Sequence, residues 1–397
     1  MNRYNIFKKI LNNPFKCIKK YILIPLCMSI LLLVSSGCWD RVEINDLAIV
    51  TGIAVDAASQ KKIQLSVQLF MPSSGASMQG GGGGGSGSGS QQQSFVVSAD
   101  GVNIADAVTN IEEKVSRQIF WGQNDTIFFG KKLAKIGIGP SMDFLTRYPK
   151  PREHAYVFVT EGKAKKILEL KPKLERNSSE VLRELAKKQT GMKTTLKDLA
   201  QMLSDPYESA VLPWVEFHNE KGRISGVALF SGDKMTGRMN KETTRGVQWL
   251  RNEIKTATIT VNPKGKGLVS MYLLRSKSKL KPVIRNGTWE IIAKIKSEDD
   301  IVQNSTNLDV MDEKVINKLE KEMGNLVKRR VYMAVHQAQK KDLDVFGFSD
   351  VFHRKYPAKW RASKKNWKEI FPHVVVKVDT NVKILRPGVT SKSASKP

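Results

Sequence analysis

The stretch Leu31-Leu-Leu-Val-Ser-Ser-Gly-Cys-Trp39 constrains this 397-residue chain more than any other, because it ends a short apolar run with small residues placed directly before a cysteine. Ahead of it lie Arg3, Lys8, Lys9, Lys16, Lys19 and Lys20 with no acidic residue. Such a basic segment stays on the cytoplasmic side of a membrane. The apolar segment from Tyr21 to Val34 reaches roughly 21 Å as a helix, short of the roughly 20 residues that a stable span needs. Ser35, Ser36 and Gly37 are small enough to pass a peptidase, and the Cys38 thiol is a nucleophile that an acyl donor can modify. The reading is a lipoprotein signal peptide over residues 1–37, with Cys38 as a mature N-terminus carrying diacylglycerol or acyl groups. Ser35 stands where a Leu is usual, with Leu33 and Val34 supplying the bulk nearby. The competing reading keeps the segment as an uncleaved anchor. In both, the body lies outside the cytoplasm and is tied to a membrane. One acyl chain alone anchors marginally, so a second lipid signal or an extra contact is expected.

This placement sets how the body can be stabilised. Cys17, Cys27 and Cys38 all lie in the leader or at its end, so the mature chain has no thiol pair for a disulfide or a cysteine zinc site. Its mass of 44.5 kDa exceeds what one core usually supports, which implies two or three domains. Six of the 65 basic residues leave with the leader, so 59 face 38 acidic ones, and the net charge falls only from +27 to +21. A basic face attracts an anionic leaflet within a Debye length. Nucleic acid, the usual partner for such a charge, is not expected for an exported and tethered chain.

Along the chain, residues 47–56 read as a buried β-branched strand and residues 62–70 alternate as its half-buried partner. Residues 79–93 form a Gly/Ser/Gln tract without apolar side chains, expected to be a disordered loop. It lacks the Lys-Ser/Thr and following helix of a phosphate-binding loop. A helix over 102–115 is predicted with Asp100 as its cap, then a strand at 125–129, a helix at 131–136 and a strand at 155–159. The charged corner Arg147, Lys150, Arg152, Glu153 and His154 reads as a surface turn. Residues 175–205 read as helical, with caps at Ser178/Ser179 and Thr194/Thr195, and Trp214 reads as a core residue. Strands and helices mix without a strict βαβ rhythm or a glycine fingerprint, so the fold class is α+β, multi-domain, with helices on one face of mixed or antiparallel sheets. An N-terminal region, 38–222, would meet a C-terminal domain, 223–389, at the Lys221-Gly222 turn.

In that second part, successive strands at 254–261, 267–274, 280–285 and 289–296, with Asn286-Gly287 as a hairpin turn, predict an antiparallel sheet. A helix over 309–342 would cover it, since Met311, Val315, Leu319, Met323, Leu326/Val327, Ala334 and Ala338 step by three or four. Gly324 and the lack of sustained heptads weigh against a coiled coil. The block Leu343-Asp-Val-Phe-Gly-Phe-Ser-Asp-Val-Phe-His-Arg-Lys-Tyr-Pro357, with Trp360 and Trp367, supplies aromatics to fill the gap between helix and sheet. Residues 390–397 form a polar tail. The five histidines are scattered without ligand spacing, and no catalytic constellation emerges.

Gly37-Cys38-Trp39-Asp40-Arg41 with Glu43, followed by Val50-Thr-Gly-Ile-Ala-Val-Asp56, resembles the start of the Ger(x)C spore germination lipoproteins, the C subunits of nutrient germinant receptors. Asp143, Leu145 and Arg147 match a further segment of that family, as do Leu212-Pro213 and the 344–367 block. The resemblance implies a non-catalytic, lipid-anchored subunit on the outer face of the spore inner membrane, beside multipass receptor subunits. It implies no cofactor, metal or nucleic acid, and a small-molecule germinant bound by the complex rather than necessarily by this chain. Its candidate residues are Cys38 for lipidation and, for partner contact, Trp39, Asp40, Arg41, Arg147, Phe346, Phe348, His353, Arg354, Trp360 and Trp367. Two other functions stay open: a solute-binding lipoprotein, which would need two similar lobes, and a binder of anionic cortex or wall polymer.

Overall fold

In a computed structural model the described residues are 44–388, apart from 60, 72–93, 149, 189–190, 206, 208, 220 and 264–266, together with the isolated positions 25 and 29. The expected lipidation site Cys38, its neighbours Trp39, Asp40 and Arg41, the Gly/Ser/Gln tract and the polar tail lie outside them. No helix among the described residues is long and apolar enough to cross a membrane. Ile44–Asp46 forms one 3-10 turn, and the residues from Ala48 onward make up one unit.

A strand covered on both faces has no reason to alternate, and the most apolar runs of the chain sit where that holds. β1 (Leu47–Ala57), β5 (Thr126–Gly130), β6 (Tyr156–Thr160) and β7 (Val211–His218) are the parallel centre of the first sheet, and β5 is buried throughout. The antiparallel strands β2 (Ile63–Phe70) and β3 (Ser94–Gly101) extend it beyond β1, and the short β4 (Gln118–Phe120) also pairs with β1. On the other side come β8 (Lys221–Ser231) and β9 (Lys234–Asn240), both antiparallel. Lys221 and Gly222, expected as a turn, are the first residues of β8, and β8 and β9 complete the first sheet. The outer edge at β9 is blunted: Gln337 Nε2 donates to Arg238 O at 2.8 Å and Lys341 Nζ to Thr236 O at 3.2 Å.

Helices cover both faces. α1 (Ile104–Glu112) is capped by Asn103, whose side chain accepts from Asp106 N; Asp100, the expected cap, is still part of β3. α2 (Lys131–Ile136), α3 (Gly139–Arg147) and α6 (Leu196–Ser204) contribute to the larger core, and α6 starts with a capping box between Thr195 and Asp198. α4 (Lys165–Leu168) and α5 (Ser178–Lys187) close a smaller cluster around the stacked Phe128 and Phe158 on the opposite face. The cap of α5 is Asn177, one residue before the expected serines. Asp56 at the end of β1 accepts from Ala164 N at 2.7 Å and Lys165 N at 2.9 Å, so the sheet itself fixes where α4 begins.

After α7 (Lys241–Leu250), a second sheet has the order β10 (Thr258–Val261), β11 (Val269–Arg285), β12 (Thr288–Asn304) and β13 (Val375–Arg386). The predicted Asn286-Gly287 turn is present, with φ of 48° and 78°, the left-handed values a tight hairpin requires. The segments expected as separate strands at 267–274 and 280–285 are one 17-residue strand, and β12 is equally long. β13 runs parallel to β12 rather than antiparallel, so this sheet is mixed. A hairpin reverses direction, whereas a helical crossover restores it, and β13 is reached through helices. The chief of these is α8 (Glu313–Gln339), about 40 Å long at 1.5 Å per residue. It buries Leu319, Met323, Leu326, Val327, Ala334 and Ala338 of the expected stripe and also Val331, whereas Met311 lies before the helix and is exposed and Val315 is half-buried.

Candidate docking surface around an aromatic keystone

Between α8 and β13 the 343–371 segment folds into three short helices, α9 (Phe348–Lys355), α10 (Pro357–Ser363) and α11 (Trp367–Ile370). Their start is organised by Asp344, a carboxylate only 2% exposed. Its Oδ1 accepts from Phe346 N at 3.2 Å and Phe348 N at 3.1 Å, and its Oδ2 from Ser349 N at 2.7 Å and the Trp367 indole Nε1 at 3.1 Å. Gly347, at φ 73°, supplies the left-handed turn that bends these amides toward one acceptor. Burial pushes the Asp344 carboxyl above its usual range, and the four donors pull against it.

Around this knot the aromatic rings interlock. Trp367 meets Phe352, Trp360 and Trp289 with centroids 5.1–5.8 Å apart, all T-shaped, and Phe346 stacks on Phe348 at 5.0 Å. Trp289 belongs to β12, so the cluster is fastened to the second sheet. It also reaches the first: Asp344 O accepts from Ser209 N just before β7, Arg251 Nη1 donates to Val345 O at 3.2 Å, and Tyr207 lies edge-on to Trp360 at 5.6 Å. The block is therefore the keystone between the two sheets.

This burial sorts the candidate partner residues. Phe346, Phe348, Trp360 and Trp367 are 0–4% exposed. A ring enclosed by its own chain presents no surface to a second one, so these four act as core residues. His353 and Arg354 are exposed on α9, and His353 stacks on Trp360 at 6.1 Å. His353, but not Arg354, borders a groove of about 420 Å3 lined by Ser204, Asp205, Tyr207, Arg361 and Lys364 among others, with both charge signs on its walls. Arg147 lies elsewhere, at the end of α3, exposed and paired through Nη2 with Asp143 Oδ1 of its own helix at 2.6 Å. It lines a second groove of about 430 Å3 with Phe144, Tyr148 and Ile104. Asp344, Tyr207 and Arg251 were not among the candidates. For Asp344 a signal existed, an acid two residues before the first of two aromatics that flank a glycine.

Among the described residues, no group of three or more His, Cys, Asp or Glu side chains is placed to hold a metal ion. Residues 40–217 match the family described as spore germination protein N-terminal domain, and residues 225–388 match spore germination B3/GerAC like, C-terminal. The chain is 30% identical to the putative spore germination protein YfkR of Bacillus subtilis (strain 168), over 96% of this chain and 98% of the relative. It is 28% identical to the spore germination protein KC of the same organism, over 92% and 96%. Among solved structures, that of the GerBC protein superposes with a TM-score of 0.58 at 18% identity, over 84% of this chain and 97% of the other, which establishes a shared fold. The family models divide the chain between residues 217 and 225, while the hydrogen bonding of the first sheet continues to Asn240. With both models matched in order and a near full-length relative at 30% identity, the chain belongs to the spore germination B3/GerAC family.

Proposed function

We propose that this chain is a lipid-anchored, non-catalytic subunit of a spore germinant receptor, held at the outer face of the spore inner membrane through Cys38 and acting by contact with membrane-embedded subunits. The observation that carries the reading is the ordered match to both halves of a spore germination family, directly downstream of the segment read as a lipoprotein signal. The body is built for contact, a rigid two-sheet frame locked by the keystone. Arg361 and Lys364 line one groove beside His353 and Arg147 borders another, so cations edge both candidate docking surfaces.

Replacing Cys38 with Ala tests the anchor. The expected outcome is release of the protein from the membrane fraction of spores, loss of the acyl mass from the N-terminal peptide, and impaired nutrient-triggered germination with an intact response to non-nutrient triggers. Unaltered membrane retention of the variant would overturn the lipid assignment. Normal nutrient germination in its absence would overturn the receptor role.

A further inference from the structure

Most arginines with a carboxylate beside them in this protein are held in its field: Arg147 by Asp143, Arg176 by Glu180, and Arg183 by Asp125 and Glu184. Two differ. Arg245 on α7 and Arg330 on α8 meet where the helices cross at Gly246, an approach so close that a Cβ on that glycine would sit 2.1 Å from Arg330 O. The crossing forces two guanidiniums, each partly buried, into one another's field. Arg245 Nη1 reaches only the edge of hydrogen-bond range, 3.5 Å from Thr256 O. Arg330 Nε is 3.8 Å from Glu242 Oε1 and, among the described residues, has no hydrogen-bond partner although it is buried. Lys241 opens the same helix α7, and Arg223 adds to its field. Among the described residues Glu242 is the carboxylate paired with Arg330, and none is paired with Arg245 or Lys241, while Arg329 is a further cation beside Arg330.

Removing like charges from water without enough counter-charge is costly, and a folded chain that keeps such a cluster gains from any anion that enters it. The guanidinium fork matches a tetrahedral oxyanion through paired N–H···O bonds. From this geometry we propose that the crossing of α7 and α8 is a binding site for one phosphate-class oxyanion, gripped by Arg245 and Arg330 with Lys241 beside them. The charge state supports it. Burial, then Arg330, holds the Arg245 guanidinium below its ordinary value; burial likewise lowers Arg330 and, with Arg245 and Arg223, the Lys241 ammonium. By contrast Arg147, Arg176 and Arg183, with carboxylates in contact, are shifted upward. The anion can come from solution or from a lipid headgroup, since both present the same oxygens.

The test uses the full chain in neutral detergent and phosphate-free buffer, followed by thermal unfolding. In one arm inorganic phosphate is titrated; in the other, phosphatidic acid is mixed into the micelle, with diacylglycerol as the uncharged control. A saturable rise in Tm is expected in at least one arm, and R245Q and R330Q should weaken it at least tenfold in midpoint concentration. A rise with phosphate identifies a soluble anion, and a rise with phosphatidic acid alone identifies a headgroup. Without ligand, R245Q should melt no lower than the unaltered protein, because it removes a repulsion; a merely structural arginine would melt lower. If R245Q does not fold, R245K keeps the charge while losing the fork, and should weaken binding in a folded protein. No rise in either arm, or a rise that the variants retain in full, overturns the site.

Discussion

Asp344 in the keystone and Asp299 in the second sheet are both buried carboxylates, and they are treated in opposite ways. Asp344 receives four donors at 2.7–3.2 Å from its own loop, α9 and Trp367. Asp299, fully buried in the middle of β12, accepts from Ser297 Oγ at 2.8 Å, and among the described residues its Oδ1 has no partner. Its neighbours across the sheet are Leu273 and Ile384. Burial, together with the adjacent Asp300, pushes the Asp299 carboxyl up to about 7, with Ser297 opposing. The difference teaches that a buried acid becomes a structural element when the backbone is bent to meet it, as Gly347 allows at Asp344. At Asp299 the ladder is irregular, with a register shift at Asp299/Asp300, yet only the Ser297 hydroxyl reaches the acid, so burial raises its proton affinity.

The largest effect follows for Asp344. Asp344→Ala leaves three backbone amides and an indole N–H buried without an acceptor, each costing about 1–3 kcal/mol, so a loss of about 4 kcal/mol or more is expected. That is a large share of a typical domain's stability of about 5–15 kcal/mol. Chemical denaturation measures it. Asp344→Asn keeps the shape and one acceptor oxygen, and should fall between. A loss below about 1 kcal/mol for the alanine variant would break the contrast, because losing buried acceptors costs more than that.

The effect at Asp299 depends on pH. A carboxyl raised in the folded state binds its proton more tightly there than in the unfolded chain. Its contribution is therefore complete below the usual carboxylate pKa and is lost as pH rises through about 7. Asp299→Asn cannot ionise, so the variant gains on the unaltered protein between about pH 4 and 7, by at most about 1.4 kcal/mol per pH unit. Urea titrations at pH 5 and pH 8 give the difference. Equal curves at both would mean that Asp299 is ionised in the folded protein at neutral pH.

The fold class was legible because periodicity reports burial: the β1 run, the 313–339 stripe and the Asn286-Gly287 turn each carry their own signal. The middle of β11 and the end of β12 were hidden by charge. Arg275 to Lys279 and Glu298 to Asp300 look like breaks, yet an exposed strand face tolerates charges, with Arg275 pairing with Glu298 across the ladder, and Asp299 alone is buried. The direction of β13 was illegible because alternation is the same in parallel and antiparallel strands. In the candidate site, the aromatic block stood out by composition, but a sequence cannot tell a ring that faces a partner from one enclosed by Trp289 of a distant strand. Asp344 escaped selection because an acid next to aromatics looks like surface until the loop amides converge on it.

The smallest effect completes the scale. The Asp143–Arg147 pair is as short as any bond to Asp344, 2.6 Å, but its side chains are 62% and 78% exposed. The Arg147 hydrogen bond holds the Asp143 carboxyl below its usual range, which would favour folding above that range and be lost as pH falls through the lowered value. Water screens such a pair, so Arg147→Ala should leave the denaturation midpoint unchanged at physiological salt. If burial rather than pairing sets the cost, a short bond at the surface must be dispensable. A midpoint shift as large as that of Asp299→Asn would refute this. The neutrality also makes Arg147 a clean probe of the α3 groove: a germination defect in a variant of unchanged stability would point to a weakened interaction with another molecule, since among the described residues its hydrogen bonds go to the exposed Asp143.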